Sequence, residues 1–164
     1  MQRDKGWINQ LLSEAENERQ HLITFMELRQ PGFFFRLLIL MAQGIFMNAY
    51  FFGYILSPRV CHRFVGYLEE QAVKTYSHFL HDIDHGNMNT WGRRPASDDA
   101  KRYWGLPDTA TLRDVVLAVR ADEAIHRDFN HYLADIPKDS KISHEHIDIY
   151  NKRFRSAEGN SHHQ

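Results

Sequence analysis

Two short motifs in this sequence combine a carboxylate and an imidazole at the same spacing. His21 follows Glu18 by three residues, and His126 follows Glu123 by three residues. On a helix, residues at i and i+3 lie on one face about a turn apart, so each pair can bind one metal ion or bridge two. A single such pair arises often by chance on a solvated helix. Two pairs on separate helices, each amid apolar residues, indicate a metal site.

A further carboxylate fits the same kind of site. Helical bundles that hold two iron or manganese ions use a Glu from each of two helices and Glu-x-x-His from the other two. Glu69 is a candidate for one of the additional acids, and Tyr76 lies seven residues later on the same helical face. A buried carboxylate is costly unless a cation compensates it, which favours a di-metal centre. The alternative is that these residues are surface charges and ordinary ion pairs within single helices.

The elements that must position these residues can be predicted from apolar spacing and capping signals. Apolar residues recur every three or four positions in three segments: from Trp7 to about Gln30, from Ser57-Pro58 to about Ile83, and from Thr111 to about Asp135. Ser57 with Pro58 is a typical helix start, and Thr111 with Asp114 forms a predicted capping box. Residues 86–108 predict a loop with a short helix around 101–104. No strand pattern occurs, so we predict an all-α, ferritin-like antiparallel bundle over residues 1–136 and a loosely ordered polar tail over 137–164.

A strongly apolar segment lies between the first two of these helices. Phe33 to Leu56 carries Arg36 as its only charge, and the twenty residues from Leu37 to Leu56 carry none. That length allows a transmembrane helix, although Gln43 interrupts it. A helix enclosed in the core and a helix with its outer face in a membrane interface are the other two interpretations. The interface is favoured because soluble monomers avoid large exposed apolar patches.

Composition narrows the function classes. The chain has 164 residues and a formal net charge of −1, which does not suggest a nucleic-acid partner. Its one cysteine, Cys61, excludes a disulfide framework within the chain and a cysteine-based zinc or iron–sulfur site. Its 11 histidines are unusual, and imidazole is the commonest metal ligand. No signal peptide is expected in the polar first residues.

Three blocks of sequence resemble one known family. AENERQHL at residues 15–22, RFVGYLEE at 63–70 and RADEAIHRD at 120–128 are similar, in order and separation, to the signature blocks of the alternative oxidases. The resemblance covers roughly residues 4–135 and is closer to the respiratory branch than to the plastid one. It implies a non-haem di-iron ubiquinol oxidase that reduces oxygen to water without pumping protons. It also implies a monotopic homodimer on the mitochondrial inner membrane or a bacterial membrane.

The resemblance assigns roles residue by residue. The positions that match iron ligands are Glu18, His21, Glu69, Glu123 and His126. Tyr76 matches a tyrosine that takes part in electron transfer. The positions that match supporting residues around the ligands are Asn17, His62, Trp104 and Asp122. Leu68 and Thr75 match positions facing the quinol cavity. The apolar segment matches a helix at the membrane surface that carries no iron ligand.

The sequence also departs from the family pattern. Gln20 stands where the family has Met, and Gln71 stands where it has Glu; neither is a ligand position. The family takes another iron-binding Glu from an earlier helix, and six residues precede Trp7 here, so we expect one bundle helix and a sixth ligand to be missing. Glu14 shares a face with Glu18 but lies a turn away and is a poor substitute.

Three hypotheses therefore compete with an active oxidase. The chain could be an inactive fragment, or a non-catalytic membrane-associated subunit of the same family. It could instead be a ferritin-like protein that handles iron or hydroxylates a substrate with the same ligands. A purely structural bundle is the third.

Overall fold

The chain folds into six helices joined by short loops, as described for residues 7–136 by a computed structural model. The helices are α1 (Trp7–Arg29), α2 (Phe33–Leu56), α3 (Pro58–Asp84), α4 (Asn89–Gly92), α5 (Asp98–Trp104) and α6 (Leu112–Asp135). Within residues 7–136 there is no strand, only an isolated backbone bridge between Pro95 and Thr111. The predicted all-α class is confirmed. The predicted tail over 137–164 lies outside the described residues.

Local capping explains where the helices begin. The Ser57 hydroxyl accepts a hydrogen bond from the Val60 amide, and Asp114 accepts one from the Thr111 amide at 2.8 Å, so both predicted caps are confirmed. The predicted short helix begins earlier than expected, at Asp98, because the Ser97 hydroxyl accepts a hydrogen bond from Ala100 N at 3.2 Å. The four-residue helix α4 was not predicted.

Helix α6 lies between α1 and α3 and is antiparallel to both. Glu14 of α1 contacts Asn130 of α6, and His21 of α1 contacts Asp122 of α6. Residue numbers therefore increase along α1 in the direction in which they decrease along α6. The same order holds for α3, where His62 contacts Asn130 and Asp84 near the helix end pairs with Arg113. Helices α1 and α3 therefore run parallel to each other, as in an up-down bundle.

The apolar core lies toward one end of α3 and α6. It is formed by Leu80, Ala96, Ala100, Ala110, Leu112, Val115, Val116 and Val119. At the other end the two helices approach closely at Gly66, where an added Cβ would lie 2.7 Å from Nδ1 of His131. A side chain at Gly66 would thus collide with the His131 ring, which would have to shift.

Helix α2 has no buried residue, so the interpretation of a core helix is wrong. Tyr50, Gly53 and Tyr54 are half-buried where α2 lies against α3, and the rest of the helix is exposed, with Ile45 at 73%. By length and composition, α2 could cross a membrane. A cavity of about 750 Å³ between α1 and α2 is lined mostly by apolar side chains, including Leu22 and Met26, together with Arg36 and Gln43.

Candidate metal centre

The antiparallel packing of α1 and α6 brings the two Glu-x-x-His motifs together. Ligand atoms of Glu18, Glu123 and His126 lie within 4.8 Å of one another, although the residues come from motifs more than a hundred positions apart. His126 is fully buried and Glu123 is 6% exposed, whereas the Glu18 side chain is 49% exposed. His126 Nδ1 lies 3.0 Å from a carboxylate oxygen of Glu18. Two carboxylates and an imidazole thus converge on a volume that an ion can occupy.

His21 completes this arrangement from the other side. Its Nδ1 is buried and lies 3.5 Å from an oxygen of Glu18 and 3.5 Å from an oxygen of Glu123. Its Nε2 lies 3.1 Å from Asp122. Histidines that bind metals commonly donate their second ring N–H to a carboxylate in this way, which sets the tautomer and the ring orientation. The residues present therefore fit a metal ion.

Asp122 Oδ2 accepts hydrogen bonds from three side chains on two helices, α1 and α5. The donors besides His21 are Asn17 Nδ2 at 2.9 Å and Trp104 Nε1 at 2.9 Å. Asn17 also donates to the Tyr103 hydroxyl at 3.0 Å, a contact that sequence reasoning missed because Tyr103 reads as a hydrophobic anchor. This network holds His21 in place. Three of the four predicted supporting residues (Asn17, Trp104 and Asp122) lie in it.

Charges within the site compensate one another without a metal. Burial lowers the pKa of His21, but hydrogen bonds with Asp122, Glu123 and Glu18 outweigh burial and raise it to about 11. Burial likewise raises the pKa of Glu18, yet hydrogen bonds with His126 and His21 bring it down to about 2. Without a bound ion, a protonated His21 would balance the negative charge of these carboxylates. A metal ion would displace such protons.

Glu69 on α3 lies outside the group of three ligands but interacts with it. Burial, followed by the negative charges of Glu14, Glu123 and Glu18, raises its pKa to about 9. Its two oxygens lie 3.2 and 3.4 Å from the amide nitrogen of Asn130. The structure therefore brings this predicted ligand near enough to the cluster for the charges of Glu123 and Glu18 to affect it.

Glu14 was expected to be a poor substitute ligand, and it lies outside the group of three. It is nevertheless 5% exposed and bonded to Gln10 and Asn130. Burial raises its pKa to about 7. Sequence reasoning did not single out Asn130, although it follows His126 by four residues on the same helical face, a spacing that could have indicated it.

The remaining predicted residues surround the cluster at different distances. Tyr76 is half-buried and stacks on Phe25 with ring centroids 6.0 Å apart, and burial, then Glu123 and Glu18, raise its pKa. The ring of His62 contacts Asn130 and the Tyr54 hydroxyl, so Asn130 lies between it and the carboxylates of the described site. Leu68 and Thr75 are exposed and do not line the cavity between α1 and α2.

We expect the metal-free chain to lose stability as the pH rises from 6 to 9. The folded-state pKa of Glu69, about 9, lies above its ordinary value of 4.5, so the folded chain binds more protons than the unfolded chain in this range. His21 acts in the same direction, since its folded pKa is about 11 against 6.5. Glu69→Gln should reduce the slope of unfolding free energy against pH, measured by denaturant titration in a chelator.

The matched control for this prediction is the neighbouring residue. Glu70→Gln removes a carboxylate that pairs with Lys74 at 2.8 Å on the surface and should leave the slope unchanged. A slope that is identical in the wild type and in Glu69→Gln would show that Glu69 carries its proton no more tightly in the folded state.

These helices and this cluster define a helical-bundle protein with a candidate carboxylate–histidine metal centre. The sequence model of the family described as alternative oxidase matches residues 1–135. The chain belongs to the alternative oxidase family.

Curated relatives agree with this assignment. The chain is 53% identical over 137 residues to the mitochondrial alternative oxidase of Ajellomyces capsulatus, covering 83% of this chain and 38% of that protein. It is 56% identical over 131 residues to the mitochondrial ubiquinol oxidase 1a of Arabidopsis thaliana, covering 80% of this chain and 36% of that protein. The chain thus spans little more than a third of the length of these relatives.

Proposed function

We propose that this chain forms the core of a ubiquinol oxidase that reduces oxygen to water at a non-haem di-iron centre, in a branch of a respiratory chain that does not pump protons. The observation that carries the proposal is the convergence of Glu18, Glu123 and His126, with Nδ1 of His21 between two carboxylates. The relatives' names, alternative oxidase and ubiquinol oxidase, support the same reaction.

The proposed ligands are Glu18, His21, Glu69, Glu123 and His126. Carboxylates with imidazoles suit iron that must change oxidation state, and iron held there would supply the electron-transfer and oxygen-binding chemistry. Because Glu18 is still 49% exposed, we propose that a further carboxylate from outside the described residues completes the set. Asp122 would orient His21 through its contact with Nε2.

Tyr76 is the proposed relay between quinol and the metal centre. Burial and the carboxylates of Glu123 and Glu18 raise its pKa, so its phenol keeps its proton at neutral pH. A neutral phenol can give up an electron and its proton together, which avoids building charge inside the bundle. Leu68 and Thr75, exposed on α3, are the proposed quinol contacts.

Helix α2 is the proposed membrane contact. Its exposed apolar surface would be unusual on a soluble monomer, and a helix lying in the interface would bury it. We propose a monotopic homodimer. The mitochondrial inner membrane is the favoured location because the relatives are named as mitochondrial proteins. A bacterial membrane is the other candidate.

The activity is tested by oxygen uptake. The purified, iron-loaded chain should consume oxygen when given ubiquinol. Cyanide should not inhibit this uptake, because the proposed iron centre contains no haem. Metal-loaded protein without uptake would refute catalysis by this chain and support the rival hypothesis of a non-catalytic fragment or subunit.

Membrane association separates the oxidase from a ferritin-like iron protein. We expect the chain to float with phospholipid vesicles, and Ile45→Glu to weaken binding about tenfold or more, because a charge on the apolar face must enter the bilayer boundary. Thr109→Glu, which adds the same charge to the exposed loop before α6, is the control and should float like the wild type. Equal flotation of the two variants would count against contact through α2.

A further inference from the structure

The side chain of Asn130 lies where α1, α3 and α6 meet. It is 2% exposed, and its amide nitrogen lies 3.2 Å from an oxygen of Glu69 and 3.3 Å from an oxygen of Glu14. The same nitrogen lies 3.1 Å from the backbone oxygen of His126. Two amide hydrogens are thus shared among two carboxylates and a carbonyl, each from a different helix.

Hydrogen-bond roles fix which way this amide points. Its oxygen can only accept, so His62 Nδ1, at 3.0 Å, must carry the proton and donate it. His62 Nε2 is then free of a proton and accepts from the Tyr54 hydroxyl at 3.2 Å. The neutral form of His62 is favoured because burial lowers its pKa. Turning the amide of Asn130 round would place its oxygen against the backbone oxygen of His126, which can only accept.

We propose that Asn130 is a positioning residue for the candidate metal centre: its amide holds Glu69 in place beside the ligands of α1 and α6. Through His62 it ties that carboxylate to Tyr54 on α2. This inference rests on the proposed function, since it concerns the ligand that α3 would contribute. The chain of donors runs in one direction, from Tyr54 to His62 to Asn130 to Glu69, and such chains polarise one another.

The physical reason is that, within residues 7–136, Asn130 is the hydrogen-bond partner that orients Glu69. Glu14 is buried and Glu69 is half-buried, and they repel each other when both are ionised, as the contribution of Glu14 to the raised pKa of Glu69 indicates. An amide N–H group between them offsets this repulsion without adding charge. Metal affinity depends on such outer hydrogen bonds because they set the direction of the ligand's lone pairs.

The test replaces Asn130 with leucine, which has a similar shape and no polar atom. Co²⁺ is titrated into the full chain without oxygen, followed by its visible absorption spectrum, and Fe²⁺ binding is measured in parallel. Asn130→Leu should weaken metal binding about 10–100-fold and change the Co²⁺ spectrum. Tyr54→Phe should shift both in the same direction by less. An unchanged Co²⁺ spectrum and affinity in Asn130→Leu would overturn the positioning role, and no effect of Tyr54→Phe would overturn the link to α2.

Two control variants separate this role from packing. Asn48→Leu makes the same substitution on the exposed side of α2, where the amide donates to Gly44 O. Val119→Ala removes buried packing from α6 in the apolar core. Neither should change the Co²⁺ spectrum. If Val119→Ala changes it as much as Asn130→Leu does, the role of Asn130 is merely structural and the proposal is wrong.

A second measurement does not depend on metal binding. In metal-free protein, the unfolding equilibrium constants of Asn130→Leu, Glu69→Ala and the double variant form a thermodynamic cycle. The double variant should differ at least about threefold from the product of the single effects. Strict additivity overturns the inference even if the wild type binds two ions. Coupling in a wild type that binds no metal would instead uphold the Asn130–Glu69 contact and remove the proposed function.

Discussion

Glu123→Ala should remove at least one of two bound iron ions and weaken any remaining ion. Glu123 is 6% exposed, its ligand oxygen belongs to the group with Glu18 and His126, and another of its contacts is His21 at 3.5 Å. Removing it takes away a charge that both imidazoles face, so the loss is larger than for an outer hydrogen-bond partner, which costs about 10–100-fold. Anaerobic Fe²⁺ titration with elemental analysis measures the stoichiometry.

The control for this prediction is a glutamate on the outside of α1. Glu16→Ala removes a carboxylate that pairs with Arg19 at the surface, so iron stoichiometry should not change. Should Glu123→Ala bind as much iron as Glu16→Ala, the ligand assignment of Glu123 has to be abandoned.

Asp122→Ala should produce the largest loss of stability among these variants. It leaves His21 Nε2, Asn17 Nδ2 and Trp104 Nε1 without their shared acceptor in a buried region. Each unsatisfied buried donor costs about 1–3 kcal/mol, so we expect the free energy of unfolding to fall by about 3 kcal/mol or more. Denaturant unfolding of the metal-free chain measures it. Metal binding should also weaken about 10–100-fold, because nothing would hold the His21 ring.

Asp122→Asn separates shape from charge in this network. It keeps an amide oxygen that can take the place of Oδ2 but removes the negative charge, so its effect should be in the same direction and smaller. Asp99→Ala is the control, since Asp99 pairs with Arg102 within the exposed face of α5. A stability change in Asp122→Ala no greater than in Asp99→Ala would mean that the three hydrogen bonds contribute little.

Local features of this protein could be predicted from the sequence because they depend on residues close in the chain. The i, i+3 spacing places Glu18 beside His21 on any helix. The caps at Ser57 and Thr111 each involve side chains within three residues. The short helix α5 was placed only in part, because its cap, Ser97, lies before the apolar residues that reveal the helix.

Helix α2 shows where composition stops being informative. An apolar run of twenty residues is compatible with a core helix, a membrane span or an interfacial helix, because all three need the same residue types. The exposure of α2 in the folded chain excludes the interpretation of a core helix. That exposure depends on how the neighbouring helices pack, which the sequence of α2 does not encode.

The two Glu-x-x-His motifs also separate what the sequence determines from what the tertiary structure decides. The sequence by itself determined that two helices each carry a carboxylate and an imidazole on one face. It also showed the resemblance of the surrounding sequence blocks to those of the alternative oxidases. Only the tertiary structure decided that α1 and α6 run antiparallel at a register that brings Glu18 to His126 and His21 to Glu123. It alone placed Asn130 and Tyr103 among these groups, since hydrogen bonds between helices depend on distances that no local spacing encodes.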